Sequence, residues 1–165
     1  MASKSRHPLK DREVKELLSR FSARFGVEPN EILGANPRIE VLDLPKVTLF
    51  LIDEKPVLFR KDETPLPTLL FDQFLARLPR VVVDMGAVPH VCNGADVMSP
   101  GVVRASGNFA EGAIVAIVDE RHGRYIALGE ALVNSENLQR KDRGKVVRNL
   151  HYVGDNVWNE ARNIR

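Results

Sequence analysis

Apolar residues recur at three- and four-residue intervals over Val14, Leu17, Leu18, Phe21 and Phe25. That is the spacing of one helix face. It predicts a helix over about residues 10–25, with Gly26 as a plausible C-cap. A second short turn of helix is expected from Asn30 to Gly34. Residues 38–44, 46–53 and 56–60 are rich in Val, Ile, Leu and Phe and are separated by Pro45 and Lys55-Pro56. They read as strands, with Asp53-Glu54-Lys55 as a tight turn. Helical spacing returns over 67–78, through Leu69, Leu70, Phe74, Leu75 and Leu78. Pro67 is tolerated there because the first turn of a helix has no partner for its missing N–H.

The pattern then changes. Arg80 to Asp84 reads as a buried strand, and residues 86–95 as one or two short helical turns. Val97 to Val103 is a strand interrupted by Pro100-Gly101. Ala113–Val118 and Arg124–Val133 flank Asp119-Glu120-Arg121-His122-Gly123, which reads as a hairpin. Residues 135–142 read as helical with Ser135 as N-cap, and Val146–Tyr152 as a final strand. Five or six short strands with a turn every 8–12 residues predict a small mixed barrel.

Proline and glycine trade places near residue 80. Eight of ten prolines lie at or before Pro79, and nine of eleven glycines at or after Gly86. This predicts two small units meeting near Pro79-Arg80. A chain of 165 residues has room for both, since a chain this long buries about 68–70% of its unfolded surface. At 44% hydrophobic and 28% charged residues it has ordinary globular composition. No apolar run approaches the roughly 20 residues of a membrane span. The polar start, Met1 to Arg12, shows no signal-peptide core. A cytoplasmic location and no membrane partner are expected.

Charge is polarised although its sum is only +2. Residues 1–25 carry seven basic side chains against three acidic ones, and residues 138–165 again seven against three. The middle of the chain is acidic. Such a distribution can orient a protein on a polyanion.

Little in the sequence points to catalysis or metals. GxSxG, GxGxxG and GxxxxGK[ST] are all absent. Cys92 is the only cysteine, which excludes a disulfide scaffold and a four-cysteine zinc site. His90 and Cys92 form one close pair without a second, so no metal or other cofactor is expected. Asp84, ahead of Gly86, reads as a turn or cap residue. The richer signal is Arg140-Lys141-Asp142-Arg143-Gly144-Lys145-Val146-Val147-Arg148, which holds five cations in nine residues. Phosphates are the natural partner of such a stripe. Aromatics are only 6% of the chain, so a base-stacking platform is disfavoured.

The run Pro89-His90-Val91-Cys92-Asn93-Gly94-Ala95-Asp96-Val97-Met98-Ser99-Pro100-Gly101-Val102 resembles the start of a PUA domain. Gly112–Val118, Gly123 and Ile126–Ala131 look like its central hairpin. The tail, Gly144-Lys145 through Leu150-His151-Tyr152-Val153-Gly154-Asp155-Asn156-Val157-Trp158, resembles one branch of that family. This is the malignant T-cell-amplified sequence family with its archaeal relatives, which carry a small α+β "pre-PUA" domain ahead of the PUA domain. Two positions depart from the common pattern: Ala113 stands where many PUA domains have Asp, and Val146 where some have a second glycine.

The resemblance implies an α+β chain: a pre-PUA domain over 1–79, a PUA mixed β pseudobarrel over 80–158 and a tail over 159–165. His151, Tyr152 and Trp158 are expected to close the barrel. It implies no enzyme, no catalytic residues and no cofactor. RNA would lie in a groove lined by His90, Gly94, Ala95, Val97, Met98, Pro100 and Gly101 on one side and Arg143, Lys145, Val147 and Arg148 on the other. The implied partner is RNA, either small-subunit rRNA or tRNA, and a protein partner in translation is allowed. An RNA-binding subunit of a tRNA or rRNA modification system, or a protein adaptor with a vestigial RNA groove, is the alternative.

Overall fold

The computed structural model describes residues 5–139 and 143–164. Backbone contacts divide the chain into two units, Met1–Phe74 with Glu160–Arg165, and Leu75–Asn159.

The first unit begins with strand β1 (Ser5–Pro8), helix α1 (Asp11–Phe25) and a short helix α2 (Pro29–Leu33). Strands β2 (Ile39–Asp43), β3 (Thr48–Ile52), β4 (Lys55–Arg60) and β5 (Leu66–Pro67) follow, then one helical turn, α3 (Asp72–Leu75). The strands form an antiparallel sheet in chain order. α1 is amphipathic as expected. It buries Leu17 and Phe21, Glu13 Oε1 accepts the Lys10 N–H at its start, and Gly26 ends it at φ 64°. Phe21, Phe25 and Phe74 pack with ring centroids 4.9–5.1 Å apart. The β3–β4 turn holds Asp53 and Glu54 at φ 49° and 73°. Such a two-residue turn fits the twist of the strands it joins.

Two elements of this unit differ from the sequence pattern. The helix expected over 67–78 is only the α3 turn. Leu66 and Pro67 pair with β4, and Thr68 Oγ donates to Pro56 O. The N–H groups of Phe71, Phe74 and Leu78 each bond three residues back, in separate turns. Consecutive turns of this kind repeat apolar residues at intervals a helix would also give. Strand β1 carried no signal because all four of its residues are exposed. It exists by pairing with β2, helped by the Arg6–Glu40 ion pair at 3.1 Å.

The second unit contains β6 (Arg80–Val83), α4 (Val88–Val91), β7 (Val97–Met98), a 3₁₀ turn (Ser99–Gly101) and β8 (Val102–Ser106). Strands β9 (Ile114–Asp119), β10 (Tyr125–Ala131) and β11 (Lys145–Tyr152) and helix α5 (Asn156–Arg162) complete it; α5 runs past the division at Asn159. The sheet runs β7-β11-β10-β9-β6-β8. Only β6 and β9 are parallel among its described pairs, so it is the mixed sheet expected. Its core includes Val81, Val83, Val115, Ile117, Ala127 and Val146. Val146, one of the two departures from the family pattern, is thus a fully buried core residue.

The β9–β10 turn is built on a buried carboxylate. Asp119 accepts the N–H groups of Arg121, His122 and Arg124. Burial alone would raise this carboxyl, but the three donors hold it below its ordinary value. The helix expected over 135–142 is a single 3₁₀ turn, Ser135–Asn137, preceded by Asn134 as its cap residue. Ser135 instead exchanges hydrogen bonds with the Phe109 backbone. Residues 140–142 of that expectation lie outside the described residues. Among the described residues no helix is long and apolar enough to cross a membrane.

Candidate nucleic-acid interface

The cleft starts from local backbone chemistry. Asp84 Oδ1 accepts the Ala87 N–H at 2.8 Å, and the Asp84 N–H donates to Gly101 O at 2.9 Å. Asp84 is therefore the turn residue its sequence context predicts, and it ties the start of α4 to the 3₁₀ turn. At the other end of α4, the N–H groups of Gly94 and Ala95 bond back to Val91 O and His90 O. Gly94 sits at φ 94°, and a Cβ there would come within 3.3 Å of the Tyr152 ring. Only glycine meets both conditions without strain.

Six of the expected site residues meet in one cavity of about 410 Å³: His90, Ala95, Val97, Met98, Pro100 and Gly101. Asp84, Ala87, Val91 and Asp96 complete its wall. Met98 is 41% exposed, the one large hydrophobic side chain so exposed among the described residues. The remaining nominated residues sit elsewhere. Gly94 is under Tyr152, while Arg143, Lys145 and Arg148 are exposed. Val97 and Val147 are 1% and 0% exposed and belong to the barrel core, as apolar residues usually do, while Met98 stands exposed. Alternation turns Val97 inward and Met98 outward, whereas at Val147 the register shifts and the adjacent Val146 is buried as well.

The two expected walls join through β7 and β11. Met98 faces Lys145 and Val97 faces Val147 across this pair. Lys145 Nζ lies 3.2 Å from Asp96 Oδ2, which places a cation beside two residues of the cavity wall. Arg148 is paired in the other direction. It faces Glu130 on β10, and its guanidinium binds Glu130 Oε1 at 2.8 Å. The loop before β11 is anchored on the 3₁₀ turn. Ser99 Oγ donates to Leu138 O, the Ser99 N–H to Gly144 O, and Gln139 Nε2 to Val102 O and Val103 O. Arg140 and Lys141, two of the five clustered cations, lie outside the described residues.

Asp96 and Asn149 were not among the expected site residues. Asp96 Oδ1 accepts the Asn149 N–H at 2.8 Å, and Asn149 Nδ2 donates to Val91 O and Ala95 O at 3.0 and 2.9 Å. These bonds fasten β11 to α4. The available signal was an Asn inside an otherwise good strand, where it is disfavoured unless its side chain has other work.

The tail motif has a structural explanation. Asp155 caps α5 by accepting the Trp158 N–H at 2.8 Å, and it also accepts the Tyr152 N–H. His151, fully buried, places Nδ1 2.8 Å from Asp155 Oδ2. Burial would raise the Asp155 carboxyl, but His151 and the two backbone donors hold it below its ordinary value. An ionised carboxylate only accepts, so the His151 proton at this contact is on Nδ1. Cys92 packs against the barrel core, and burial pushes its thiol up, away from nucleophilic character. Among the described residues no three His, Cys, Asp or Glu side chains are grouped to hold a metal.

A six-stranded mixed pseudobarrel with a short helix after its first strand defines a PUA domain, and the PUA domain model matches residues 79–153. Residues 5–73 match a domain of unknown function, DUF1947, which corresponds to the pre-PUA region. The chain is 38% identical to an uncharacterized protein of Methanocaldococcus jannaschii, over 96% of this chain and 98% of that protein. It is 29% identical to Translation machinery-associated protein 20 of Saccharomyces cerevisiae, over 79% of this chain and 76% of that one. With Malignant T-cell-amplified sequence 1 of Rattus norvegicus it shares 27% identity, over 91% and 87%. The chain belongs to the family of PUA proteins with a DUF1947 domain ahead of the barrel, which includes these proteins. Among solved structures, a hypothetical protein of Pyrococcus horikoshii OT3 superposes with a TM-score of 0.79 at 34% identity, over 95% of this chain and 99% of that one. A PUA domain protein from Aeropyrum pernix K1, solved as a tartrate complex, gives 0.84 at 26% identity, over 98% and 93%.

Proposed function

We propose that this protein is a non-catalytic, cytoplasmic RNA-binding factor of translation. It contacts the small ribosomal subunit or tRNA through the PUA unit, residues 80–158. Residues 1–79 supply contacts to ribosome or protein partners. The observation that carries this reading is Lys145, held in register with Met98 beside the cavity. A phosphate backbone following β7 and β11 would meet that cation while the cleft accommodates the rest of the nucleotide. The names of the relatives, Translation machinery-associated protein 20 and Malignant T-cell-amplified sequence 1, support the translation part.

A second reading, an RNA-binding subunit of a modification system, has one supporting observation. The chain is 33% identical over 131 residues to a probable tRNA pseudouridine synthase B of Pyrobaculum arsenaticum, although it spans only 39% of that protein. Co-sedimentation of the purified protein with small subunits, large subunits and bulk tRNA, at low and moderate salt, separates the two. Selective, salt-sensitive association with small subunits is expected. Binding to tRNA without subunit preference favours the modification reading, and no binding to any of them overturns both.

A further inference from the structure

The outer face of the PUA sheet carries charge that the cleft does not use. Register sets Arg104 of β8, Val82 of β6, Val118 of β9 and Tyr125 of β10 in one row across four neighbouring strands. Directly paired residues share a face of the sheet, and successive residues alternate between faces. Val81, Val83 and Ile117 belong to the barrel core, so this row points away from it. Val82 and Val118 are buried, while Arg104 is exposed and Tyr125 half-exposed. Three strand spacings of about 4.8 Å put roughly 14 Å between the Arg104 and Tyr125 backbones. Arg80 stands on the same face, two residues before Val82. Its guanidinium carbon lies 5.3 Å from the centre of the Tyr125 ring, and it donates to the Tyr125 hydroxyl at 2.9 Å. Since β9 separates β6 from β10, the Arg80 side chain crosses β9 to reach that ring.

The β9–β10 turn continues the row. Asp119 accepts the N–H groups of Arg121 and Arg124 and so fixes the backbone that carries both. Arg104, Arg121 and Arg124 are exposed, and among the described residues their guanidinium groups make no hydrogen bond or ion pair. Lys145 and Arg148 at the cleft are each paired with a carboxylate instead. Glu120, the exposed acid of the turn, accepts the Met85 N–H. Resting on the RNA-binding reading above, we propose that Arg104, Arg80, Arg121 and Arg124 form a second RNA contact, separate from the cleft, which holds the phosphate backbone of a duplex without reading its bases. Guanidinium groups bind phosphate oxygens in pairs, and unpaired ones break no ion pair to do so. The row's one aromatic ring is already engaged by Arg80, so an unstacked base gains no platform there. A duplex keeps its bases stacked and offers its backbone. An acidic protein segment is the other occupant such charge would suit. The band runs across the sheet, and Gln139 already bonds to Val102 O and Val103 O of β8, the end strand, so a peptide finds little main chain to pair with. Phosphate contacts need none.

The test uses the full chain, a labelled blunt RNA duplex of about 16 base pairs and a labelled single-stranded uridine octamer. Fluorescence anisotropy follows binding between about 50 and 200 mM salt. The double variant Arg104→Ala with Arg124→Ala is expected to lower the salt slope of duplex binding by about 2, one unit for each phosphate contact. The octamer slope should fall much less. Lys145→Ala is expected to show the reverse order, a larger loss on the octamer than on the duplex. Circular dichroism verifies that both variants are folded. Salt-sensitive duplex binding that the double variant leaves unchanged overturns the band and leaves the RNA reading standing. Equal losses from the two variants on both RNAs show one continuous surface and overturn a separate band. Binding of neither RNA overturns the RNA reading as well. Amide NMR shifts at Arg104 and Arg124 on adding an octaglutamate peptide, without duplex binding, overturn the duplex and assign the band to an acidic protein segment.

Discussion

The two sides of the cleft are held in different ways. The α4 side is short-range. Asp84, Ala87, His90, Val91, Gly94 and Ala95 bond to one another within a few residues, and Asp84 reaches only to Gly101. The β11 side is long-range, depending on β7, β10 and the Asn149 bonds to residues more than 50 positions away. The difference bears on recognition. The α4 side presents a shaped, largely uncharged surface before any ligand arrives. On the β11 side Lys145 and Arg148 already face Asp96 and Glu130. Binding RNA there exchanges ion pairs, so these cations contribute less than their number suggests.

Four experiments would break or sharpen this contrast. Gly129→Ala should have the largest effect. A Cβ there would lie 2.3 Å from Val147 Cγ1 and 2.9 Å from Arg148 O, so β11 must move away from β10. A loss of about 3 kcal/mol is expected, in the range of overpacked cores, read as a lower midpoint in urea. RNA affinity should fall with it, because Lys145 and the cavity share β11 and β7.

Asn149→Ala removes two bonds from β11 to α4 and leaves the Asn149 N–H bond to Asp96. About 1–3 kcal/mol should be lost, the net worth of two hydrogen bonds at about 0.5–1.5 kcal/mol each. Hydrogen exchange should quicken at Gly94 and Ala95 while the β9–β10 hairpin stays protected. If the hairpin opens equally, the two sides are not separable.

Asp155→Ala should cost about 0.5–2 kcal/mol, the usual value of a lost N-cap. Its pH dependence has a definite sign. The folded carboxyl lies below its ordinary value, so its stabilisation is present above the unfolded value, about 4, and is lost as pH falls through the folded one. Asp119 acts in the same sense. Wild-type stability should therefore decline on acidification below about pH 4, and Asp155→Ala should decline less steeply. Equal slopes would show that the Asp155 cap carries no linked proton.

The smallest effect separates the two cations. Lys145→Ala should lower the salt slope of single-stranded RNA binding by about 0.7, one phosphate contact. Arg148→Ala should lower it less, because its guanidinium is drawn to Glu130 on the β10 side, whereas Lys145 is paired with Asp96 of the cavity wall. An equal loss from both would show that the Arg148–Glu130 pair opens on binding.

Much of the chain was legible from sequence where a segment carries its own signal. α1 shows its apolar stripe and terminal glycine, β2 to β4 their apolar runs, and the β9–β10 turn its Asp119. The segment Pro89–Val102 was legible only through its resemblance to the start of a PUA domain, while its bonds at Asp84, Gly94 and Gly101 emerged with the structure. The same local logic misled at residues 67–78, where successive turns gave helical spacing without a helix.

Local pattern thus determined most elements and their order, because those depend on backbone preferences and side-chain periodicity within a few residues, and the family resemblance supplied the segment that builds the cleft. Tertiary structure alone decided that β1 pairs, that Met98 is exposed while Val147 turns into the core, that Asn149 fastens β11 to α4, and that Lys145 rather than Arg148 stands beside the cavity. Each of these depends on which distant strand lies alongside. Strand register, unlike helical periodicity, is a property of two segments at once.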